Sequence, residues 1–112
     1  MYTPDQWDVI KIETKTNKPL YKVFGSWKGG FTRGDSWQLN SGIVKVEETD
    51  TYYDFHGFSG SVYRCYKNAG APSGYNATVL ANYIDRAVSV DATITIMDRE
   101  TKFSEVDYSY DD

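Results

Sequence analysis

Alternation of apolar and polar residues recurs along most of the chain and predicts a protein built mainly from β-strands. The strictest case is residues 92–97, where Ala, Ile and Ile alternate with Thr. Other segments combine alternation with β-branched and aromatic residues and end at Gly, Asn or Pro, as strands do. The predicted strands are 7–13, 20–27, 36–39, 43–48, 51–56, 61–66 and 92–97.

A helix is predicted over residues 76–88, where the apolar spacing changes from two to between three and four. Asn76 is the expected N-cap, since Asn favours that position. The apolar stripe consists of Val79, Leu80, Tyr83, Ile84 and Ala87. The predicted fold class is therefore α+β and strand-rich: a curled antiparallel sheet or small barrel of about six to seven strands, with one helix near 76–88.

The segment Gly57-Phe-Ser-Gly60 predicts a β-hairpin connection between two strands. If Gly57 pairs with Gly60, Phe55 lies opposite Val62 on one face. The other face then carries polar and reactive residues together, which makes it the first place to look for catalysis. Its members are Asp54, His56, Ser61, Tyr63 and Cys65.

That face does not meet the geometric needs of nucleophilic catalysis. Asp54 and His56 lie on one strand with Cα atoms about 6.5–7 Å apart, so the carboxylate does not orient the imidazole without bending back. We therefore expect no catalytic residues here and a polar outer sheet face instead. One His and one Cys without paired spacing predict no metal site, and the glycines match no phosphate or dinucleotide fingerprint, so no cofactor is expected.

Charge is concentrated at the C-terminus. Residues 98–112 hold six acids and two bases, a sum of −4, which equals the net charge of the whole 112-residue chain. We expect a single globular domain over residues 1–103 and an acidic tail over 104–112 whose composition allows flexibility. A body with no net charge gives no reason to expect nucleic-acid binding.

Composition also limits membrane and redox environments. No apolar run reaches eighteen residues, so no membrane span is predicted. The first residues lack the basic and apolar regions of a signal peptide. The lone Cys65 suits a reducing compartment, so we expect a cytoplasmic protein. Aromatic residues make up 16% of the chain, with ten tyrosines, which favours β-structure or an interface.

The stretch Ser26–Trp37 is the best candidate for recognition. It holds two tryptophans, a phenylalanine, two cations and three glycines between two predicted strands, which would present it at a hairpin tip. Aromatic faces stack on planar groups, while arginine and glycine-rich backbone hold anions. Adding the aromatic and basic positions of the later hairpin gives the predicted ligand-binding residues: Trp27, Lys28, Arg33, Trp37, Tyr63, Arg64 and Lys67.

A plainer interpretation of the same stretch remains open. Large aromatic side chains are more often packed than displayed. Trp27 and Trp37 would then be core residues beside an ordinary hairpin loop, with Lys28 and Arg33 solvated.

Two runs of sequence resemble small accessory proteins of tailed bacteriophages, especially cyanophage-like ones. They are residues 37–47, Trp-Gln-Leu-Asn-Ser-Gly-Ile-Val-Lys-Val-Glu, and residues 55–65, Phe-His-Gly-Phe-Ser-Gly-Ser-Val-Tyr-Arg-Cys, within a similarity that covers roughly residues 20 to 80. The resemblance carries no family activity. It implies a virus-encoded protein of the host cytoplasm, of a kind that blocks a host or defence factor or sequesters a signalling nucleotide.

The leading hypothesis is a non-catalytic binding protein that holds a small anionic or nucleotide-like ligand to counter host defence. The alternatives are an inhibitor that binds a host protein and a structural virion or assembly protein. Unpaired strand edges and exposed aromatics further predict a homo-oligomer. Neither nucleic acid nor a membrane is expected as a partner.

Overall fold

The computed structural model describes residues 1–29 and 34–109 of the chain. Its fold is α+β and strand-rich, as the alternation predicts. The strands are β1 (Gln6–Glu13), β2 (Leu20–Trp27), β3 (Ser36–Leu39), β4 (Ile43–Glu48), β5 (Tyr52–Gly57), β6 (Val62–Tyr66) and β7 (Thr93–Ile96). One helix, α1 (Gly74–Val88), precedes β7, and a 3-10 turn follows at Phe103–Glu105.

The strands form two separate antiparallel sheets rather than a closed barrel. One sheet has the order β3-β2-β1-β7 and the other the order β4-β5-β6. The chain passes between them at Asn40–Gly42. Asn40 is buried and bonds Val23 twice. Its side-chain Oδ1 accepts from the main-chain amide of Val23 at 2.9 Å, and its main-chain amide donates to the Val23 carbonyl at 3.1 Å. Gly42 then takes a φ of 129°, which lets the chain leave the first sheet.

The four-stranded sheet is covered on both faces, so the fold has three layers. Between the sheets lies an aromatic core of Trp7, Val9, Tyr21, Val23, Ile43, Tyr53, Phe55, Tyr63, Cys65, Phe103 and Tyr108. On the opposite face, α1 packs Leu80 onto Ile10 and Phe24, with Trp37 and Tyr83 at the margin. This double burial explains why β1 and β2 contain mostly apolar residues in their centres.

Helix α1 begins two residues earlier than the sequence pattern predicts. Ser73, rather than Asn76, occupies the N-cap position. Asn76 is 1% exposed, and its amide nitrogen donates to the Ser36 carbonyl at 3.1 Å. The prediction of Asn76 as the N-cap is therefore wrong, because this side chain ties the helix to β3.

The β5–β6 hairpin differs by one residue from the predicted register. The Gly57 amide donates to the Ser61 carbonyl at 2.9 Å, and the Gly60 amide donates to the Gly57 carbonyl at 3.0 Å. The connection is thus a three-residue loop that ends at Gly60, whose φ is 88°. Phe55 consequently pairs with Tyr63 rather than Val62.

A shift of one residue exchanges the two faces of a strand. Tyr63 and Cys65 therefore lie in the core beside Tyr53 and Phe55. The predicted polar face of the hairpin is wrong for these two residues, whereas Asp54 and His56 do lie on the outer face. Asp54 pairs directly with Arg64 there.

The segment after β7 returns to the core before the chain ends. Phe103 is 1% exposed and contacts the Trp7 ring at 6.1 Å between centroids. Tyr108 lies edge-on to Tyr21 at 5.3 Å, and its hydroxyl donates to the Phe103 carbonyl at 2.6 Å. Aromatic residues thus hold part of the predicted acidic tail against the aromatic core.

We expect Gly60→Ala to lower the free energy of unfolding by about 1 kcal/mol, because an L-residue with a side chain is strained at positive φ. A methyl group there meets no atom within 4 Å, so the cost comes from the backbone alone. Gly60→Asn should cost less, since Asn tolerates this conformation better. Urea unfolding of both variants measures the difference, and equal stability of wild type and Gly60→Ala would refute the loop assignment.

Candidate ligand-binding groove

An open groove lies between the N-terminal segment, the end of β2 and the edge strand β3. Its volume is about 430 Å³. The walls consist of Met1, Tyr2, Thr3, Trp27, Ser36, Trp37 and Gln38. Tyr2 is held there by a parallel bridge to Tyr63. Its main-chain amide donates to the Val62 carbonyl, and its carbonyl accepts from the Arg64 amide, each at 2.8 Å. The main chain of β6 therefore fixes one wall of the groove.

Trp27 ends β2 and lies on the side that faces the smaller sheet. It packs in part against the aromatic core. Its indole nitrogen donates to the Thr3 carbonyl at 3.1 Å, and Tyr2 lies edge-on to it at 6.5 Å between centroids. These contacts hold the Trp27 side chain in place, while one surface of its ring lines the groove.

Trp37 points to the opposite face of the same sheet, because Trp27 pairs with Ser36 and Trp37 pairs with Ser26. It stacks on Phe24 at 5.6 Å with 6° between the ring planes. Tyr83 of α1 meets it edge-on at 5.5 Å. The two tryptophans therefore flank the β3 edge from its two faces, and each combines core packing with a share of the groove wall.

Tyr63 supports the groove from behind. It is 3% exposed, and its ring lies 4.9 Å from that of Tyr2. Its hydroxyl donates to Gln38 Oε1 at 3.3 Å. Burial raises the pKa of this phenol, so Tyr63 stays neutral and acts as a donor.

Lys28 lines a hollow that continues from the groove. Trp27 and Ser36 belong to both, and Gly29 and Gly34 complete the hollow. The Lys28 amide donates to Asp5 Oδ2 at 2.9 Å, which fixes the backbone at the end of β2. Arg33, the other predicted cation of this stretch, lies outside the described residues.

Arg64 lies on a different surface, the outer face of the β4–β6 sheet. Its guanidinium bonds both carboxylate oxygens of Asp54 at 2.9 Å and lies 4.0 Å from the centre of the Tyr52 ring. The pKa of Arg64 is raised because Asp54 accepts its hydrogen bonds. The predicted cation is thus already paired with an anion and directed away from the groove.

Lys67 is likewise paired. Its ammonium lies 2.7 Å from Glu48 Oε2 and 5.0 Å from the centre of the Tyr53 ring. The pKa of Lys67 is raised, chiefly because Glu48 accepts its hydrogen bond. The structure therefore brings Trp27, Lys28, Trp37 and Tyr63 to one region and places Arg64 and Lys67 elsewhere.

The reactive side chains of the hairpin do not converge. His56 Nε2 lies 2.7 Å from Glu47 Oε1 across the β4–β5 pair, while Asp54 is engaged by Arg64. Cys65 is fully buried, and burial raises the pKa of its thiol, which disfavours a nucleophilic thiolate. Within residues 1–29 and 34–109, no three His, Cys, Asp or Glu side chains are grouped as metal ligands.

None of the helices in the described part of the chain has both the length and the apolar character needed to cross a membrane.

Sequence reasoning missed the cluster formed by Trp7 and Arg99. The guanidinium lies 3.6 Å from the centre of the Trp7 ring and donates to the carbonyls of Trp7, Ala69 and Gly70. The Trp7 indole nitrogen donates to the Tyr66 carbonyl at 2.8 Å. Nothing in the local pattern around Arg99 distinguishes it from a solvated base, because its partners are distant in sequence.

Asp8 adds a buried carboxyl beside this cluster. It is 8% exposed, and burial raises its pKa from 3.8 to about 6, with the Arg99 charge opposing the change. Burial lowers the pKa of Arg99, and the negative charge of Asp8 opposes this decrease. Loss of hydration therefore outweighs the attraction between the two groups.

We expect Asp8→Asn to raise the free energy of unfolding at pH 7 by about 1–3 kcal/mol, since two pKa units correspond to about 3 kcal/mol. The folded protein binds the Asp8 proton more tightly than the unfolded chain does. This group's contribution to stability is therefore largest below about pH 4 and is lost as the pH rises through 6. Urea unfolding of wild type and variant between pH 4 and 7.5 measures the difference.

Glu48→Gln provides a comparison of opposite sign. The pKa of Glu48 is lowered, chiefly because Lys67 donates a hydrogen bond to it. Its contribution to stability is present at neutral pH and is lost as the pH falls through its folded-state pKa. A difference between wild type and Asp8→Asn that does not change with pH would contradict the assignment for Asp8.

Comparison of the chain with protein-family models, with curated proteins and with solved structures gives no match. The choice among possible functions therefore depends on the geometry of the groove and the surfaces around it.

Proposed function

We propose that this protein is a non-catalytic accessory binding protein of the tailed-phage kind, which holds a small nucleotide-like ligand in the groove between Trp27 and Trp37. The base would lie against the indole rings, and an anionic group would extend toward Lys28. Holding such a molecule would counter a host defence that uses it as a signal. The observation that carries the proposal is the meeting of two anchored indoles and a tyrosine ring around one groove of about 430 Å³.

The groove has the size and lining of a small-molecule site. Such sites measure about 300–1,000 Å³ and combine aromatic walls with a few polar groups. Here the polar groups are the side chains of Thr3, Ser36 and Gln38. Because Trp27 is held by Thr3 and Trp37 by Phe24, little side-chain freedom remains to be lost on binding.

The anionic preference is supported by the position of Lys28. This residue shares a hollow with Trp27 and Ser36, directly beside the groove. No ion pair to Lys28 exists among the described residues, in contrast to Arg64 and Lys67, whose carboxylate partners are in place. Among the described residues, an incoming phosphate would thus meet a Lys28 ammonium that forms no ion pair, since the Asp5 carboxylate bonds the main-chain amide of Lys28 instead.

The accessory role is supported by the resemblance of residues 37–47 and 55–65 to phage proteins of this kind. Both runs contribute to the region of the groove: the first contains Trp37 and Gln38, and the second contains Tyr63. A role that needs no turnover also fits the separation of His56 from Cys65 and from Asp54, whose carboxylate is bound to Arg64.

A second candidate function, inhibition of a host protein, is favoured by the outer face of the β4–β6 sheet. Arg64 there lies on the Tyr52 ring, and Tyr66 is 38% exposed beside them. Tyr and Arg are the residue types that most often carry binding energy at protein interfaces. Docking at this face would leave the groove unused.

Adenosine 5′-monophosphate and adenosine are suitable probes, with indole fluorescence and calorimetry as the measurements. We expect the monophosphate to bind more tightly than adenosine and Trp27→Ala to weaken binding of both about 10- to 100-fold, since stacking contributes about 1–3 kcal/mol per base. Lys28→Gln should remove the preference for the phosphate without abolishing adenosine binding. Native mass spectrometry of protein from phage-infected bacteria would then show which molecule is retained in cells.

Arg64→Ala is the matched control, since its side chain lies on the outer face. If Arg64→Ala abolishes nucleotide binding while Trp27→Ala leaves it intact, the groove is not the site. If neither adenosine 5′-monophosphate nor adenosine binds and no small molecule is retained from infected cells, the ligand-binding proposal fails. Loss of a host-protein complex in a folded Arg64→Ala variant would then favour the second candidate.

A further inference from the structure

We infer that β7 is an interface at which a second copy of this chain adds to the four-stranded sheet, giving a continuous sheet of eight strands. The order would be β3-β2-β1-β7 followed by the same strands of the second copy in reverse. The two β7 strands would run antiparallel around a two-fold axis through Thr95. This association is independent of what the groove binds.

The other edges of the two sheets are obstructed in the part of the chain that the structure describes. Tyr2 occupies the edge of β6 through two main-chain bonds of 2.8 Å. The edge strand β4 carries charged residues, Lys45, Glu47 and Glu48, and its ladder is interrupted between Ile43 and Lys45. Charges and irregularities of this kind prevent edge-to-edge pairing.

The edge strand β3 has four residues, as many as β7, but its edge is partly used. It forms a wall of the groove, and Asn76 of α1 bonds the Ser36 carbonyl at its start. By contrast, β7 has the sequence Thr-Ile-Thr-Ile, with no charge, glycine or proline. An edge strand of this composition is a template for another strand.

The backbone of β7 presents two residues outward. Met97 donates its amide to Val9 of β1 at 2.8 Å, and Thr95 pairs with Lys11. Because backbone groups alternate in direction along a strand, Thr93 and Thr95 bond toward β1, while Ile94 and Ile96 direct their amides and carbonyls away from the sheet.

A single register satisfies all of these outward groups. If Thr95 lies opposite Thr95 of the second copy, Ile94 of each copy lies opposite Ile96 of the other. Both are then hydrogen-bonded pairs, which use four backbone bonds in total. This register keeps the isoleucines on the helix-covered side of both halves, since Ile96 pairs with Ile10 and Ile94 with Ile12.

The surroundings of β7 are apolar on that side. Ile96 is 44% exposed, Val88 at the end of α1 is 72% exposed, and Val90 just after the helix is 73% exposed. A groove of about 430 Å³ separates the helix end from the strand, with walls that include Ile12, Ala87 and Ile94. Pairing of the two β7 edges would bring these apolar patches together across the axis and withdraw them from water.

Cysteine cross-linking tests the register directly. Residues opposite each other in a non-hydrogen-bonded pair have Cα atoms about 4.5 Å apart, within the range that a disulfide spans. Thr95→Cys should therefore give a covalent dimer under mild oxidation. Thr93→Cys should not, because the two residues 93 would lie about 13 Å apart along the strands. The native Cys65 is buried, so it does not confuse the result.

Charge variants with sedimentation as the measurement test the interface without a covalent bond. The parent protein should sediment at twice the chain mass of 12.8 kDa. Thr95→Lys and Thr95→Glu should each raise the dimer dissociation constant on the order of 100-fold through like charges across the axis. An equal mixture of the two variants should restore a dimer. The matched control is Val44→Lys on β4, which should leave the dimer intact.

A monomeric parent protein at high micromolar concentration would overturn the inference. So would a dimer that Thr95→Lys leaves unchanged, which would mean association through another surface. Equal cross-linking by Thr93→Cys and Thr95→Cys would also overturn the proposed register. Restoration of the dimer by mixing Thr95→Lys with Thr95→Glu shows that both chains fold, so loss of structure does not explain the separate variants.

Discussion

The guanidinium of Arg99 under the indole of Trp7 is the contact on which the arrangement of the two sheets depends. Trp7 belongs to β1 of the larger sheet, while Ala69 and Gly70 follow β6 of the smaller one, and Arg99 donates to the carbonyls of all three. Trp7 itself donates to Tyr66 at the end of β6. One cation therefore holds both sheets and the segment after β7 together. Its burial has a cost, because Asp8 beside it does not fully compensate the lost hydration.

This arrangement determines where a ligand could bind. The larger sheet packs against α1 on one face and against the smaller sheet on the other, so the centres of both faces are occupied. One open groove lies at the margin of this sheet, between the N-terminal segment, the end of β2 and β3. Trp27 and Trp37 reach that margin from opposite faces of one sheet. The groove therefore lies where side chains from both faces of the larger sheet meet the N-terminal segment.

Patterns of period two and of helical period were sufficient to predict the described strands, helix α1 and the α+β class, because these patterns are local. The division into two sheets was not predictable, because the end of the β2–β3 pair is marked by contacts between Asn40 and Val23, which are distant in sequence. The predicted register of the β5–β6 hairpin was wrong by one residue, because Gly57 pairs with Ser61 rather than with Gly60. This shift of one residue determines which face of the hairpin carries Arg64, and it places Arg64 opposite Asp54. In the candidate site, the tryptophans were predictable from composition, whereas the neutralisation of the later cations was not.

The most direct test of this account is the free energy of unfolding of Arg99→Lys, measured by urea denaturation against Arg86→Lys on the exposed face of α1. Lysine keeps the charge but loses the planar stacking on Trp7 and the fork of donors that reaches three carbonyls. We expect Arg99→Lys to lower the unfolding free energy by about 2–3 kcal/mol, since hydrogen bonds from charged groups contribute about 1.5–3 kcal/mol each. Arg86→Lys should change it by less than about 0.5 kcal/mol. An equally small change for Arg99→Lys would contradict the central place given to this contact.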